Sequence, residues 1–493
     1  MMGKHYQNDQ WTIEDGLGIA GAGDTLARMA LEVTPSFSIR VTGKWGAGKT
    51  SVLKRAFATL GGQPIQQSLP FGVDIKEFIT KDWESLNFDK RDNELNWKQD
   101  KLDIIAEKTL CIWFSPWQHQ VEVNPLIALL LELKAQFSTY INIKDRFNDF
   151  NRRGGLATAT LIEGFIEAVT NLKIKGTTEA VQKAYNNAAP KLTELSNGQR
   201  FHLLFDDVVN NVLYSIKGVT KETIKNARLI IFIDDLDRCE ESVIVNLLEA
   251  IKLYLSSPNC IFIFGIDETA VIGAMKRHWG EGRSEVNNRE YLEKMFQATI
   301  LVPLPKQENL KIIIKNQLKL HKFTDIEVSA DIIERLIEPN PRKVKNFCNS
   351  LCAAWGMMRG SEETDAKFAL RFILFNYLRL FHQPIWRILE RQPYALSLLM
   401  RVLFTGTQDK LQEREDFKES DQKILRELFF REFSHVLGDE SIDILHHKSL
   451  TTDQAVTLMY ERQDRKRSDE FFIYKLREFE NDDILDDRFL YNR

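Results

Sequence analysis

The stretch that decides the fold runs Gly43-Lys44-Trp45-Gly46-Ala47-Gly48-Lys49-Thr50. It fits the pattern G-x-x-x-x-G-K-[ST] at every fixed position, and its flanks also agree with that pattern. The β-favouring run Phe37–Thr42 precedes it, and the residues from Ser51 onward predict the start of a helix. A strand, a glycine loop and a helix N-terminus together form a phosphate site, because backbone N–H groups turn inward around the anion.

The same loop predicts the contacts of a bound nucleotide, ATP in the first instance, and of its Mg²⁺ ion. We expect Lys49 to reach the β- and γ-phosphates and the Thr50 hydroxyl to join the Mg²⁺ shell. The glycines allow a close backbone approach that a side chain would hinder. The predicted nucleotide-binding residues are Gly43, Lys44, Trp45, Gly46, Ala47, Gly48, Lys49, Thr50 and Ser51.

A second motif, Arg228–Arg238, supplies an acidic partner for this loop. An apolar run ends in Asp234 and Asp235, which predicts a buried strand with carboxylates at its carboxyl end. Asp234 is expected to hold Mg²⁺ through its water shell, and Asp235 lies where a general base would orient the attacking water. Asp237 and Arg238 crowd the same edge. A solvated acidic turn is the alternative for Asp235 and Asp237.

Three further apolar runs predict strands of the same sheet: Leu110–Phe114, Ile261–Phe264 and Ala298–Val302. Helical stretches separate the five runs, which is the pattern of a doubly wound α/β fold with a parallel five-stranded sheet. Asp267 follows the fourth run. It would lie beside the γ-phosphate if that run separates the strands that carry Asp234 and Lys49.

We expect the chain to divide into a core of residues 1–305, a helical lid of residues 306–360 and a helical C-terminal domain of residues 361–493. The core carries predicted helical insertions at about 61–108 and 127–226. The first insertion is polar and charge-rich, so it is expected at the surface, with Trp83 as an isolated aromatic. The glycines between residues 16 and 23 do not follow a strand, which favours a flexible loop.

The predicted lid rests on the segment around Arg342, which follows Pro339 and Pro341. The prolines end one helix and Arg342 opens the next, so a basic helix start would close over the nucleotide. A solvated basic helix start is the alternative. The C-terminal domain predicts an interaction module, because its helices are apolar and aromatic.

Composition narrows the class of protein. Across 493 residues, Lys and Arg number 66 against 70 Asp and Glu, so no global basic footprint argues for nucleic acid. A local basic patch that binds nucleic acid is still compatible with this nearly balanced total charge. Five scattered cysteines do not form a disulfide framework, which favours a reducing cytosol. The sequence has neither a secretory signal nor an apolar run long enough for a membrane span, so a cytoplasmic protein is expected.

With these motifs in place, the chain resembles the KAP family of P-loop NTPases over residues 10 to 360. A tryptophan inside the phosphate loop is characteristic of that family, and Trp45 occupies this position. The matching stretches, in the family's order, are Phe37–Arg55, Trp113–His119, Ile231–Cys239, Phe264–Asp267, Tyr291–Met295 and Asn340–Asn349.

The resemblance implies further roles. It makes Asp235 the catalytic acid, Asp267 a sensor of the γ-phosphate and Arg342 the arginine of the lid, beside Lys49 as a catalytic residue. Many relatives carry transmembrane helices before the acidic strand, and this chain has a helical replacement there. Bacterial relatives are associated with multigene anti-phage defence, which implies protein partners and a role in such a complex.

Two functions from different classes follow. The first is a Mg²⁺-dependent ATPase that powers or gates a multi-protein complex. A homo-oligomer is expected, because a neighbouring subunit would supply an arginine finger, and its candidates are Arg238, Arg283 and Arg289. The alternative is a nucleotide-gated scaffold, in which binding rather than hydrolysis sets the state. A motor acting on DNA is a third possibility that the charge balance does not favour.

Overall fold

The structure is a computed structural model. It describes residues 11–13, 15–64, 83, 86, 102–119, 125–141, 197–254, 257–280, 285–358, 366–391, 432–433 and 466–476. The chain forms two compact units, one of Gln10–Pro303 and another that includes Leu304–Arg493.

A five-stranded parallel sheet forms the centre of the first unit. Its strands are β1 (Phe37–Thr42), β2 (Thr109–Phe114), β3 (Arg228–Ile233), β4 (Cys260–Ile266) and β5 (Ala298–Leu301). Their order across the sheet is β2-β3-β4-β1-β5. Strand β4 therefore lies between the strand that precedes the phosphate loop and the strand that Asp234 follows, which is the condition stated above for Asp267 to lie beside the γ-phosphate. All five predicted strands are confirmed.

Helices pack on this sheet within the described ranges of the first unit. They are α1 (Ala20–Glu32), α2 (Lys49–Thr59), α3 (Leu102–Glu107), α4 (Pro125–Ile141), α5 (Asn197–Tyr214), α6 (Glu241–Tyr254), α7 (Glu268–Trp279) and α8 (Glu285–Met295). Strands β2, β3 and β4 are buried along their whole length. Such strands carry continuous apolar runs rather than alternating ones, because neither face meets water.

Two expectations about the first unit are wrong. Gly21 and Gly23 belong to α1 rather than to a flexible loop. A Cβ at Gly23 would approach Arg55 to 3.0 Å, so the glycine permits close packing of α1 on α2. Trp83 is buried rather than exposed, and its indole Nε1 donates to the Gly62 carbonyl at 2.8 Å. Its ring meets Phe57 edge to face.

The second unit is helical in the part of the chain that the structure describes. Its helices are α9 (Gln307–Leu320), α10 (Ile326–Leu336), α11 (Pro341–Met358), α12 (Ala366–Phe381), α13 (Gln383–Arg391) and α14 (Lys466–Leu476). Among the described helices of both units, none combines the length and the apolar character needed to cross a membrane. The five cysteines are free and buried, in agreement with the absence of a disulfide framework.

Candidate functional site

The phosphate loop links β1 to α2 through two glycines with positive φ. Gly46 has φ 81° and Gly48 has φ 103°, values that L-residues with side chains rarely adopt. Between them the loop closes a turn in which the Ala47 N–H donates to the Lys44 carbonyl at 3.0 Å. Lys49 is the first residue of α2, so the loop and a helix N-terminus converge at this point. This arrangement suits an anion.

The remaining predicted loop residues take different positions. The Trp45 side chain is 61% exposed at the loop. Ser51 is buried, and its hydroxyl accepts a hydrogen bond from the Thr12 N–H at 3.1 Å. Ser51 therefore ties the segment before α1 to the first turn of α2. The Lys49 ammonium donates to the Gly43 carbonyl at 2.8 Å.

The predicted magnesium residues lie in contact. Asp234 follows β3 and is 3% exposed, and the Thr50 hydroxyl at the start of α2 donates to its carboxylate. Burial, with the neighbouring Asp235 charge, raises the pKa of Asp234 to about 7. In P-loop proteins, Mg²⁺ is held by a Ser or Thr hydroxyl together with an Asp carboxylate, so Thr50 and Asp234 fit the ion.

A glycine opposite Asp234 makes room for this carboxylate. A Cβ at Gly265 would lie 2.7 Å from Asp234 Oδ1 and 2.5 Å from Leu53 Cδ1. Both distances are shorter than real Cβ contacts allow. Gly265 was part of a matched stretch in the sequence, but a role for it was not predicted, since the contact depends on the pairing of β3 with β4.

Asp235 adopts a left-handed backbone conformation, with φ 60° and ψ 23°. The following residues Leu236–Arg238 form one turn of 3₁₀ helix. The Arg238 guanidinium turns back on Asp235, with Arg238 Nε 2.9 Å from Asp235 Oδ1. Non-glycine residues with positive φ are uncommon and concentrate at functional sites.

Asp237, on the same turn, faces the phosphate loop. Its Oδ2 atom lies 3.6 Å from the Lys49 ammonium, and both side chains are largely buried. The acidic motif thus contributes two further charges to the site, one beside Lys49 and one beside Asp235. The sequence indicated that Asp237 and Arg238 share this edge, but it did not predict which group each contacts.

A buried lysine beneath the site was missed. Lys54 is 2% exposed, and its ammonium lies 3.5 Å from the centroid of the Trp113 ring, a cation–π contact. Burial lowers the pKa of Lys54 to about 7, against the attraction of Asp234 and Asp235. The available signal was a lysine among the apolar residues of α2, on the face that packs on the sheet.

The two remaining predicted catalytic residues are Asp267 and Arg342. Asp267 caps α7, and its Oδ1 atom accepts hydrogen bonds from the N–H groups of Thr269 and Ala270. Arg342 belongs to the second compact unit, in the first turn of α11, where its N–H donates to Asn340 Oδ1 at 3.1 Å. The sensor role of Asp267 and the lid role of Arg342 stay predictions.

The arginine-finger candidates also differ in position. Arg238 is engaged with Asp235 of its own chain. Arg289 Nε lies 3.8 Å from Glu268 Oε1. Arg283 lies outside the described residues. A finger from a neighbouring subunit stays a prediction.

A human protein is similar to part of this chain. The human protein "Kinase D-interacting substrate of 220 kDa" is 24% identical over 123 residues, which make up 24% of this chain and 7% of that protein. The chain thus corresponds to a small part of that relative.

Two solved structures also overlap with the chain. The Aeropyrum pernix ORC2 protein, described in ADPNP–ADP complexes, shares 12% identity at a TM-score of 0.33, over 90% of this chain and 85% of that one. A Walker-type ATPase of Pyrococcus abyssi shares 12% identity at a TM-score of 0.34, over 96% and 98% of the two chains.

The family model described as "KAP family P-loop domain" matches residues 23–354, more than half of the chain. The match includes the phosphate loop, the acidic strand end and the start of α11. The protein belongs to the KAP family of P-loop NTPases.

Proposed function

We propose that the protein binds ATP with Mg²⁺ and hydrolyses it. The observation that supports this most is the hydrogen bond from the Thr50 hydroxyl to the buried Asp234 carboxylate, beside the loop that carries Lys49. Lys49, Thr50 and Asp234 together are the side chains that hold a nucleoside triphosphate and its metal ion in P-loop proteins. Membership of a P-loop family supports nucleotide binding independently.

The proposed roles follow the charge changes of phosphoryl transfer, in which positioning and electrostatic stabilisation do most of the work. Lys49 neutralises charge on the β- and γ-phosphates while the loop amides hold them. Asp235 orients the attacking water and accepts its proton. Bound Mg²⁺ would neutralise charge on the phosphate oxygens, and Thr50 and Asp234 would hold it. Asp267 senses the γ-phosphate and Arg342 serves as the lid arginine.

ATP binding and hydrolysis are proposed to power or gate a multi-protein complex of the kind associated with bacterial anti-phage defence. Homo-oligomerisation fits an arginine supplied by a neighbouring subunit. The helices of residues 361–493 are the proposed interaction module, and a cytoplasmic location fits these roles. These assignments rest on the family resemblance of the motifs.

Nucleotide binding by full-length protein tests the first step. Titration with a fluorescent ATP analogue in the presence of Mg²⁺ should saturate. Lys49→Ala should weaken this binding or lower the rate of steady-state ATP turnover by about 10²-fold, because the phosphates lose their cation. Lys221→Ala is the matched control, since Lys221 is exposed on a turn that precedes β3. Equal binding and turnover by Lys49→Ala and the control would contradict the proposal.

A second candidate function is a nucleotide-gated scaffold, in which binding alone sets the state. It is favoured by the ion pairs of Lys49 with Asp237 and of Asp235 with Arg238, because groups held in this way suit slow turnover. Phage plating on cells that carry the gene with its neighbours separates the two candidates. The scaffold requires Asp235→Asn to protect as well as wild type, whereas the ATPase requires protection to be lost.

A further inference from the structure

The short turn Leu236–Arg238 contacts both groups that the proposed reaction needs. Asp237 Oδ2 lies 3.6 Å from the Lys49 ammonium, which also donates to the Gly43 carbonyl. Arg238 Nε lies 2.9 Å from Asp235 Oδ1. One three-residue turn thus holds the phosphate-binding cation and the water-orienting carboxylate at the same time.

The turn is itself held in place by its neighbours. The Arg238 N–H donates to the Asp235 carbonyl at 3.2 Å, so Asp235 and the guanidinium that contacts it share one tight loop. The Arg238 Cζ atom lies 5.9 Å from the centroid of the Trp117 ring. Trp117 belongs to the 3₁₀ turn after β2 and is 44% exposed. The guanidinium therefore has both a carboxylate and a partly exposed aromatic ring as neighbours.

We propose that Asp237 and Arg238 are positioning residues that hold Lys49 and Asp235 in a resting arrangement, from which both must be released for turnover. The proposal rests on the proposed ATPase function. Asp237 offers Lys49 an anion in place of a phosphate. Arg238 offers Asp235 a cation and occupies one of its carboxylate oxygens.

Charge explains why these pairs oppose the reaction. The Arg238 guanidinium occupies an oxygen of Asp235 that the attacking water would otherwise contact. An anion beside Lys49 competes with the β- and γ-phosphates for the same ammonium. Since a nucleotide must displace that anion, its apparent affinity falls with the fraction of protein in which Lys49 is released.

Steady-state turnover of the Arg238→Gln variant tests the restraint on Asp235. We expect kcat to rise about three- to tenfold with KM nearly unchanged, because the Asp235 oxygen becomes available to the attacking water while the phosphate contacts stay intact. Arg277→Gln is the matched control, since it removes a similar pair of 2.7 Å between Arg277 Nε and Glu241 at the surface. Its kcat should equal that of wild type. An unchanged or lowered kcat in Arg238→Gln would overturn the proposal, and a lowered kcat would favour Arg238 as an arginine that assists catalysis.

Nucleotide affinity of Asp237→Asn tests the restraint on Lys49 independently of hydrolysis. The fluorescent ATP analogue should bind about tenfold more tightly than to wild type, because the neutral amide competes less with phosphate. Unchanged or weaker binding would overturn the proposal. This assay also separates the two hypotheses. A protein that binds nucleotide but does not hydrolyse it in any variant contradicts the ATPase function, while the Asp237→Asn affinity still decides whether the turn restrains Lys49.

Discussion

The sheet edge around Asp234 and the cluster around His382 in the second unit both bury ionisable side chains, but they satisfy them in different ways. His382 is fully buried, and each ring nitrogen contacts a carboxylate, with Nε2 2.8 Å from Asp469 Oδ1 and Nδ1 3.3 Å from Glu432 Oε2. The Tyr377 hydroxyl also donates to Asp469. Every one of these contacts is a hydrogen bond within the cluster.

At the sheet edge, burial works against the charged forms of the ionisable side chains. Burial lowers the pKa of Lys54 and raises that of Asp234, so each group resists its charged form despite their mutual attraction. The Lys54 ammonium lies over the Trp113 ring, 3.5 Å from its centroid. Buried groups that are hydrogen-bonded to one another stabilise a fold, whereas burial that opposes the charged form of a group costs stability, and a cation bound at Asp234 would offset that cost.

The largest effect is expected from removing His382, the centre of the hydrogen-bonded cluster in the second unit. His382→Phe should lower the free energy of unfolding by about 3–5 kcal/mol, because the buried carboxylates of Glu432 and Asp469 each lose one hydrogen-bonded partner. Urea unfolding of full-length protein measures the change. His278→Phe, at an exposed position, should change stability by less than about 0.5 kcal/mol. A similar small change in His382→Phe would show that the cluster does not stabilise the second unit.

The opposite result is expected at Lys54. Lys54→Met should leave the free energy of unfolding unchanged or raise it by up to about 3 kcal/mol, because an apolar side chain avoids the cost of burying a charge. The same variant should bind Mg²⁺ more weakly with nucleotide, since Lys54 helps to keep Asp234 ionised. Lys252→Met removes an exposed lysine near the Tyr291 ring and is the control. Strong destabilisation of Lys54→Met would show instead that Lys54 stabilises the fold, as the His382 cluster is expected to do.

The strands and the binding loop were predictable because their signals are local. Apolar runs that end in Asp234 or follow Phe37 read directly as buried strands, and the glycine loop has a fixed spacing. The contacts of Lys54, Gly265 and Arg238 were not predictable. Each depends on which strands pair and on how α2 lies across the sheet, and a sequence pattern does not contain these long-range distances.

The raised pKa of Asp234 gives the sheet edge a pH dependence. Protons compete with Mg²⁺ for this carboxylate, so Mg²⁺ affinity in the presence of a non-hydrolysable nucleotide should fall about tenfold from pH 8 to pH 6, on either side of a pKa of about 7. Asp234→Asn, titrated in parallel, shows the pH dependence of the nucleotide itself. Equal pH dependence in both proteins would rule out Asp234 as the titrating ligand.

Backbone strain at Asp235 gives the smallest effect. Its left-handed conformation costs a non-glycine residue about 1 kcal/mol, so Asp235→Gly should raise the free energy of unfolding by about this amount. Asp235→Asn should leave it nearly unchanged, because asparagine tolerates the same conformation. Thermal unfolding of the two variants side by side measures the difference. Destabilisation in Asp235→Gly would show that the pair with Arg238 contributes more than the strain costs.

The central claim, that the site hydrolyses ATP through Asp235, is tested most directly by single-turnover cleavage of bound ATP in wild type and in Asp235→Asn. We predict that both proteins bind ATP with affinities within about threefold of each other, because the phosphate contacts are retained. Wild type should cleave the bound ATP, and Asp235→Asn should cleave it about 10²- to 10³-fold more slowly. Equal cleavage rates at equal occupancy would contradict the assignment of Asp235, and a wild type that binds ATP without cleaving it would contradict the ATPase function itself.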